Sequence, residues 1–159
     1  MKLYYILSLT LLFTSFVVKN NTCRQKKFRI EIKEESMLWD NAYHVTNDTL
    51  IIHRFNRVTQ QTTHTLIKLN KDQNAEIEKQ LSKMDWNGLK ESYVDSSAPQ
   101  DLFTYSFVFD WNKTIKKVRI YHVKQEEIFN LVKSINQMII LPGDYQIGYN
   151  DAYLGTPKK

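Results

Sequence analysis

The sequence predicts an α+β domain: an antiparallel sheet built from two β-hairpins plus an N-terminal strand, with two helices packed on one face. Three patterns carry that expectation. Residues 28–33 alternate apolar and charged side chains, the period of a half-buried strand. Two stretches rich in Ile, Thr and Phe each fold back across a polar turn. Each such pair is followed by an apolar stripe at helical spacing. The chain has 159 residues, enough for one core and too few for two separate ones. Apolar residues at 42% and charged residues at 25% exclude a disordered tail, a collagen-like rod and a multi-span membrane protein.

Along the chain, Phe28-Arg29-Ile30-Glu31-Ile32-Lys33 forms the first strand. A loop or short helical turn anchored by Trp39 is expected over 34–41, then a short strand at 43–46. Residues 49–56 and 60–69 read as antiparallel strands joined near Arg57-Val58-Thr59. Asn70 and Gln73 fit a capping box, and Ile77, Leu81 and Met84 give the first helix its buried stripe, with Gly88 as its stop. Residues 92–101 are loop by composition. Residues 102–109 and 114–121 form the second hairpin, turning at Trp111-Asn112 or one residue later. Phe103, Tyr105, Phe107 and Phe109 then share a dry face with Val118 and Ile120, while Thr104, Ser106, Lys117 and Arg119 share the wet one. Ile128, Leu131, Val132, Ile135, Met138 and Ile139 mark the last helix, ended by Leu141-Pro142-Gly143.

The N-terminus reads as an address. Lys2 precedes sixteen uncharged residues, 3–18, which are too few and too rich in Ser and Thr for a comfortable membrane span. The expected organisation is a signal peptide at 1–22, a tether at 23–27 and a single α+β domain at 28–159. The lone cysteine, Cys23, stands a few residues past the apolar run, a position that resembles that of the acylated cysteine of bacterial lipoproteins, although Asn20-Asn21-Thr22 precede it in place of their small residues. The resemblance implies a membrane anchor through an N-terminal lipid, with a soluble secreted form or an uncleaved anchor as the alternatives. Removing the signal lowers the net charge from +5 to +3, spread along the chain. That scattered lysine excess fits a solvated surface and not a nucleic-acid partner.

The layout resembles small exported bacterial lipoproteins of unknown function, in which a strand pair precedes a helix, an acid-bearing loop and a second strand pair. The residues that carry it are Asp48-Thr49-Leu50-Ile51-Ile52, Asp85-Trp86-Asn87 with Leu89 and Tyr93, and the stretch from Tyr105 to Tyr121. The resemblance covers most of the chain past residue 48 and supplies no catalytic residue.

Chemistry-bearing patterns are sparse. A first hairpin turning between Val58 and Thr59 sets His53 opposite His64, half of a zinc or copper site or simply two polar neighbours on a wet face; the second reading is simpler, so neither metal nor cofactor is expected. Ser96 and Ser97 lie between Asp95 and Asp101 without a nucleophile elbow, and the four glycines are too dispersed for a phosphate loop. The expected function is non-enzymatic binding of another envelope or secreted protein, as an immunity or inhibitor protein would bind. Lys117, Arg119 and Trp111 are its candidate contact residues, the Trp111 indole at the hairpin tip being either folded back over Phe109 or presented to the partner, and Trp39 and Trp86 are further stacking candidates. The alternative is a small hydrolase or metal-dependent envelope enzyme using the 95–101 loop or the histidine pair.

Acylation fixes the first testable outcome. Each buried methylene contributes about 0.8 kcal/mol, so two or more chains anchor firmly where one is marginal. Cys23→Ser is expected to release the protein from the membrane fraction or leave an uncleaved precursor. Intact-mass analysis of wild type should show a Cys23 start with added lipid mass; an unmodified thiol would overturn the anchor.

Overall fold

A computed structural model describes residues 27–99, 103–141 and 145–149. The expected signal peptide, Cys23, Asp101, the Pro142-Gly143 stop and most of the tail lie outside the described residues. The fold is α+β, a mostly antiparallel seven-stranded sheet with two helices. The elements are β1 (Phe28–Glu35), β2 (Trp39–Thr46), β3 (Thr49–Asn56), β4 (Gln61–Lys68), α1 (Lys71–Lys83), β5 (Ser92–Val94), β6 (Thr104–Trp111), β7 (Thr114–Tyr121) and α2 (Glu126–Met138). Across the sheet the strands run β4-β3-β2-β1-β6-β7-β5, antiparallel at every contact except β5 with β7.

Two strands exceed the sequence expectation. β2 runs for eight residues in place of a short strand at 43–46, and β1 continues through Glu35 where a loop was expected. Asp40, Asn41 and Ala42 are poor strand formers, and a buried Glu34 breaks the apolar alternation, so neither extension shows in local pattern. Pairing with β1 on one side and β3 on the other holds β2 extended. The β1–β2 turn needs only Ser36, Met37 and Leu38, with the Trp39 amide donating to Ser36 Oγ at 3.0 Å. β5 is the other correction to an expected loop: three residues beside β7, too few to display a period.

The turns follow from their side chains. Asn112 (φ 50°) and Lys113 (φ 66°) both adopt left-handed backbone, which a two-residue hairpin requires for its twist to match the strands. This is the later of the two expected turn positions. Between β3 and β4, Asn56 Oδ1 accepts from the amides of Val58 and Thr59 at 2.8 and 3.0 Å. The capping box of α1 is present: the Gln73 amide donates to Asn70 Oδ1 at 2.9 Å, and the Asn70 amide to Gln73 Oε1 at 2.8 Å. α1 ends at Lys83, with Met84 as its cap, before it reaches Gly88. α2 ends at Met138, before Leu141.

Burial alternates strictly along β1 and β6, and Ile30, Ile32, Tyr43, Val45, Leu50, Ile52, Tyr105, Phe107, Phe109 and Ile120 are almost wholly covered on one side of the sheet. Ile77 and Leu81 of α1 and Ile128, Leu131, Val132 and Ile135 of α2 are buried in the same cluster. Two further residues, Ile147 and Tyr149, come from the short segment 145–149. Among the described residues, none that points from the strands to the opposite side is buried, so the described part of the sheet has a dry face and an open face.

Phe107 is 1% exposed and stacks on Phe109 with ring centroids 5.8 Å apart. Phe107→Ala is expected to cost about 3–5 kcal/mol in urea unfolding, the range for emptying a large aromatic site. Lys117→Ala, on the open face, should cost less than about 0.5 kcal/mol. Comparable losses would mean that the two faces of β6 and β7 have been exchanged.

Candidate functional site

Strand register lays the open face out in rows. One row runs from His64 on β4 through His53, Ala42, Lys33 and Ser106 to Arg119 on β7. The next runs from Leu66 through Ile51, His44, Glu31 and Val108 to Lys117. The histidines thus occupy one end of the face and the two basic residues the other. Four strand spacings separate β3 from β7, about 19 Å at the usual interstrand distance.

The histidine end is compact. His53 and His64 are directly opposed, as the expected turn required, with their Nδ1 atoms 2.6 Å apart and their rings nearly perpendicular. His44 joins them from β2, its ring centroid 5.3 Å from that of His53. Nothing in linear spacing marks His44 as a neighbour; only the β2–β3 register brings it there. Behind it, His44 Nδ1 lies 4.0 Å from Glu31 Oε1, and Glu31 also pairs with Arg29. Burial, then the charges of His64 and His44, hold the His53 imidazole below its ordinary pKa of 6.5. Among the described residues, no group of three or more His, Cys, Asp or Glu side chains is arranged to hold a metal ion.

At the other end, Lys117 and Arg119 are exposed and make no side-chain ion pair among the described residues. Exposed apolar residues accompany them on the same face: Ile115, Val94 and, beyond the histidines, Leu66. Trp111 does not. It shares the dry side with Phe109 and is 3% exposed, so of the two expected placements the indole takes the inward one, which corrects its candidate role as a contact residue. The turn falls one residue past it, so Trp111 still belongs to the strand and follows the strand's pleat. Trp86 and Trp39 are also engaged. Trp86 donates to the Leu81 carbonyl at 3.0 Å and meets Phe109 edge-on, while Arg54 lies over the Trp39 ring at 4.7 Å.

A second polar cluster was not legible in the sequence. Glu34, 2% exposed, points into the dry side near the end of β1. Its Oε2 accepts from Asn41 Nδ2 at 3.1 Å and lies 3.3 Å from the Tyr43 hydroxyl, and its Oε1 accepts from the Gly148 amide at 3.0 Å. Burial pushes the Glu34 carboxyl above its usual 4.5, against the opposing pull of these hydrogen bonds and of the Arg54 charge. Arg54 is itself clasped between the rings of Trp39 and Tyr145, each 4.7 Å away. The segment 145–149 is held from the other side as well: Asn136 exchanges two hydrogen bonds with Ile147, at 2.8 and 2.9 Å. The Tyr149 hydroxyl accepts from the Gln125 amide and donates to the Val123 carbonyl, and burial pushes its pKa up to about 12. Glu34, Asn136 and Tyr149 each find their partners within the chain, which makes the cluster a clasp for residues 145–149, while Asn41 Oδ1 and Arg54 Nε are buried without a hydrogen bond among the described residues.

The remaining candidate, the 95–101 loop, is described only in part. Asp95 Oδ1 accepts from the amide and the hydroxyl of Ser97, at 2.9 and 2.6 Å, which folds the turn. Between α1 and α2 lies an open polar groove of about 280 Å³, bordered by Lys83, Glu127, Lys133 and Ser134. No protein-family model, curated protein or solved structure matches the chain.

The clasp generates two expectations. A Cβ at residue 148 would overlap Glu34 Oε1, a fixed and buried atom, so Gly148→Ala should cost about 1–3 kcal/mol by overpacking. Because the folded Glu34 pKa is raised, its stabilising contribution is fully present below pH 4.5 and is lost as pH rises through the folded value. Glu34→Gln cannot titrate. Urea titrations should therefore show wild type gaining on Glu34→Gln as pH falls from neutral to 4.5; a difference that does not change with pH would refute burial as the dominant influence.

Proposed function

We propose that this chain is a non-enzymatic exported module, tethered to the membrane through Cys23, that binds another envelope or secreted protein on the open face of its sheet, as an immunity or inhibitor protein does. The tether draws on the export signal and on the resemblance to small exported lipoproteins. The two helices cover one face of the sheet, and both hairpins expose their other face to the partner.

One observation carries the reading. The open face holds Lys117 and Arg119 without ion-pair partners among the described residues, beside exposed Ile115 and Val94. Unpaired basic groups beside apolar side chains suit an interface: apolar contact supplies burial, and charge steers an acidic partner into register. Binding on one face of a sheet needs no catalytic convergence. The Glu34 carboxyl on the dry side is occupied in holding residues 145–149, and Asp95 is occupied in its own turn.

The test is cross-linking and co-purification from the membrane fraction, followed by quantitative mass spectrometry. Wild type should recover a stoichiometric acidic partner. The double substitution Lys117→Glu with Arg119→Glu should weaken that complex at least about tenfold, the loss of roughly 1.4 kcal/mol. Both sites are exposed, so unfolding stability should move by no more than about 0.5 kcal/mol per substitution. Failure to recover any partner, or equal recovery by the charge-reversed variant, would overturn the reading.

A further inference from the structure

We infer that His53 and His64 form a two-ligand site for a divalent transition-metal ion, zinc or copper by preference, with water completing the coordination. The argument begins with the contact itself. Two imidazole nitrogens 2.6 Å apart cannot both carry a proton on the facing atom. One Nδ1 donates its proton to the lone pair of the other, and a shift of the donor ring to its other neutral tautomer, with the proton on Nε2, turns both lone pairs toward the same point. The 81° angle between the rings lets the two nitrogens converge without stacking.

The geometry is close to what a metal ion requires. With metal–nitrogen bonds of 2.0–2.1 Å and a tetrahedral angle, two ligating nitrogens stand about 3.3 Å apart. The present separation would have to widen by about 0.7 Å, which small rotations of two side chains provide. The backbone gives a firm base, because His53 and His64 are paired residues on adjacent antiparallel strands. Neutral imidazole is a borderline ligand that suits zinc, copper and nickel and discriminates against calcium and magnesium. His64 is on the edge strand and exposed, so an ion reaches the pair directly from solvent and keeps room for its waters.

His44 and Glu31 complete the surroundings. The His44 ring meets that of His53 edge-on, and Glu31, whose charge is already paired with Arg29, lies 4.0 Å behind His44. They flank the site and are not its ligands, in keeping with the absence of a three-residue metal cluster among the described residues. Half of a four-ligand donor set implies modest affinity, a zinc dissociation constant of roughly 1–200 µM. The site is independent of the contact surface proposed around Lys117 and Arg119, at the other end of the sheet.

Calorimetric titration of the full chain with zinc chloride tests the inference, against the variants His53→Ala, His64→Ala and His122→Ala. Cys23 is common to all four proteins, so the differences report the histidines. One zinc ion per chain is expected, with binding weakened at least about tenfold in either His53→Ala or His64→Ala and unchanged in His122→Ala. In histidine-detected NMR, the ring protons of His53 and His64 should shift together as zinc is added. Metal-free thermal unfolding of each variant should match wild type, which separates lost ligation from lost folding. Absence of binding at 1 mM zinc, binding that survives both substitutions, or an equal loss in His122→Ala would each overturn the site.

Discussion

β1 is the strand on which the architecture depends. It pairs along its whole length with β6 on one side and along seven residues with β2 on the other. In the strand order it alone joins the β2–β3–β4 half of the sheet to the β6–β7–β5 half. Its inward side chains, Phe28, Ile30, Ile32 and Glu34, run as a buried row through the middle of the core. A central strand loses solvent on both edges, so every backbone polar group must find its partner in a neighbouring strand. The eight-residue match of β1 with β6 meets that demand, and it fixes which face of each half turns inward, because a slip of one residue would exchange the faces.

The buried carboxylate of Glu34 follows from the same placement. An acid in the last inward position of a central strand must be neutralised or given donors. Asn41 and Tyr43 of β2 supply two from the neighbouring strand, and the Gly148 amide supplies a third from the segment beyond α2. The demand of one buried charge thus ties the last described residues of the chain to its first strand. Asn136 holds the same segment from α2, and Tyr149 packs its ring against Phe107 and Phe129. Polar and apolar contacts cooperate here: the ring burial draws the segment down, and the hydrogen bonds set its register.

Legibility in the sequence tracks how local each cause is. The hairpin of β6 and β7 was readable, its turn to within a residue and its strand ends to within two, because alternation, turn chemistry and the apolar stripe of α2 all act over short stretches. The capping box of α1 was readable for the same reason. The length of β2 was not, because Asp40, Asn41 and Ala42 become strand only through two distant neighbours. The Glu34 clasp joins residues more than a hundred positions apart, and a glutamate next to Glu35 looks like ordinary surface. On the open face, the His53–His64 pair followed from a single turn, whereas His44 required knowledge of a second interface. Trp111 was misplaced by the pleat: a strand that ends on an inward position carries its last side chain into the core, however near it lies to a turn.

The position of β1 also orients the proposed tether. Five residue steps separate Cys23 from Phe28, a reach of at most about 18 Å when fully extended. Phe28 pairs with Trp111 beside the Asn112–Lys113 turn, and its amide donates to Asn47 in the β2–β3 turn. A lipid on Cys23 would therefore bring this end of the sheet nearest the bilayer, with Lys113 and the nearby Lys116 available to an anionic surface. The Glu34 clasp, Trp39 and Tyr145 would lie at the far end. A sheet tethered through an edge strand would hang by a pairing that mechanical load can peel. Attachment through the central strand would distribute any pull over the hydrogen bonds on both sides of β1, which suits the proposed role of holding a partner at a membrane surface.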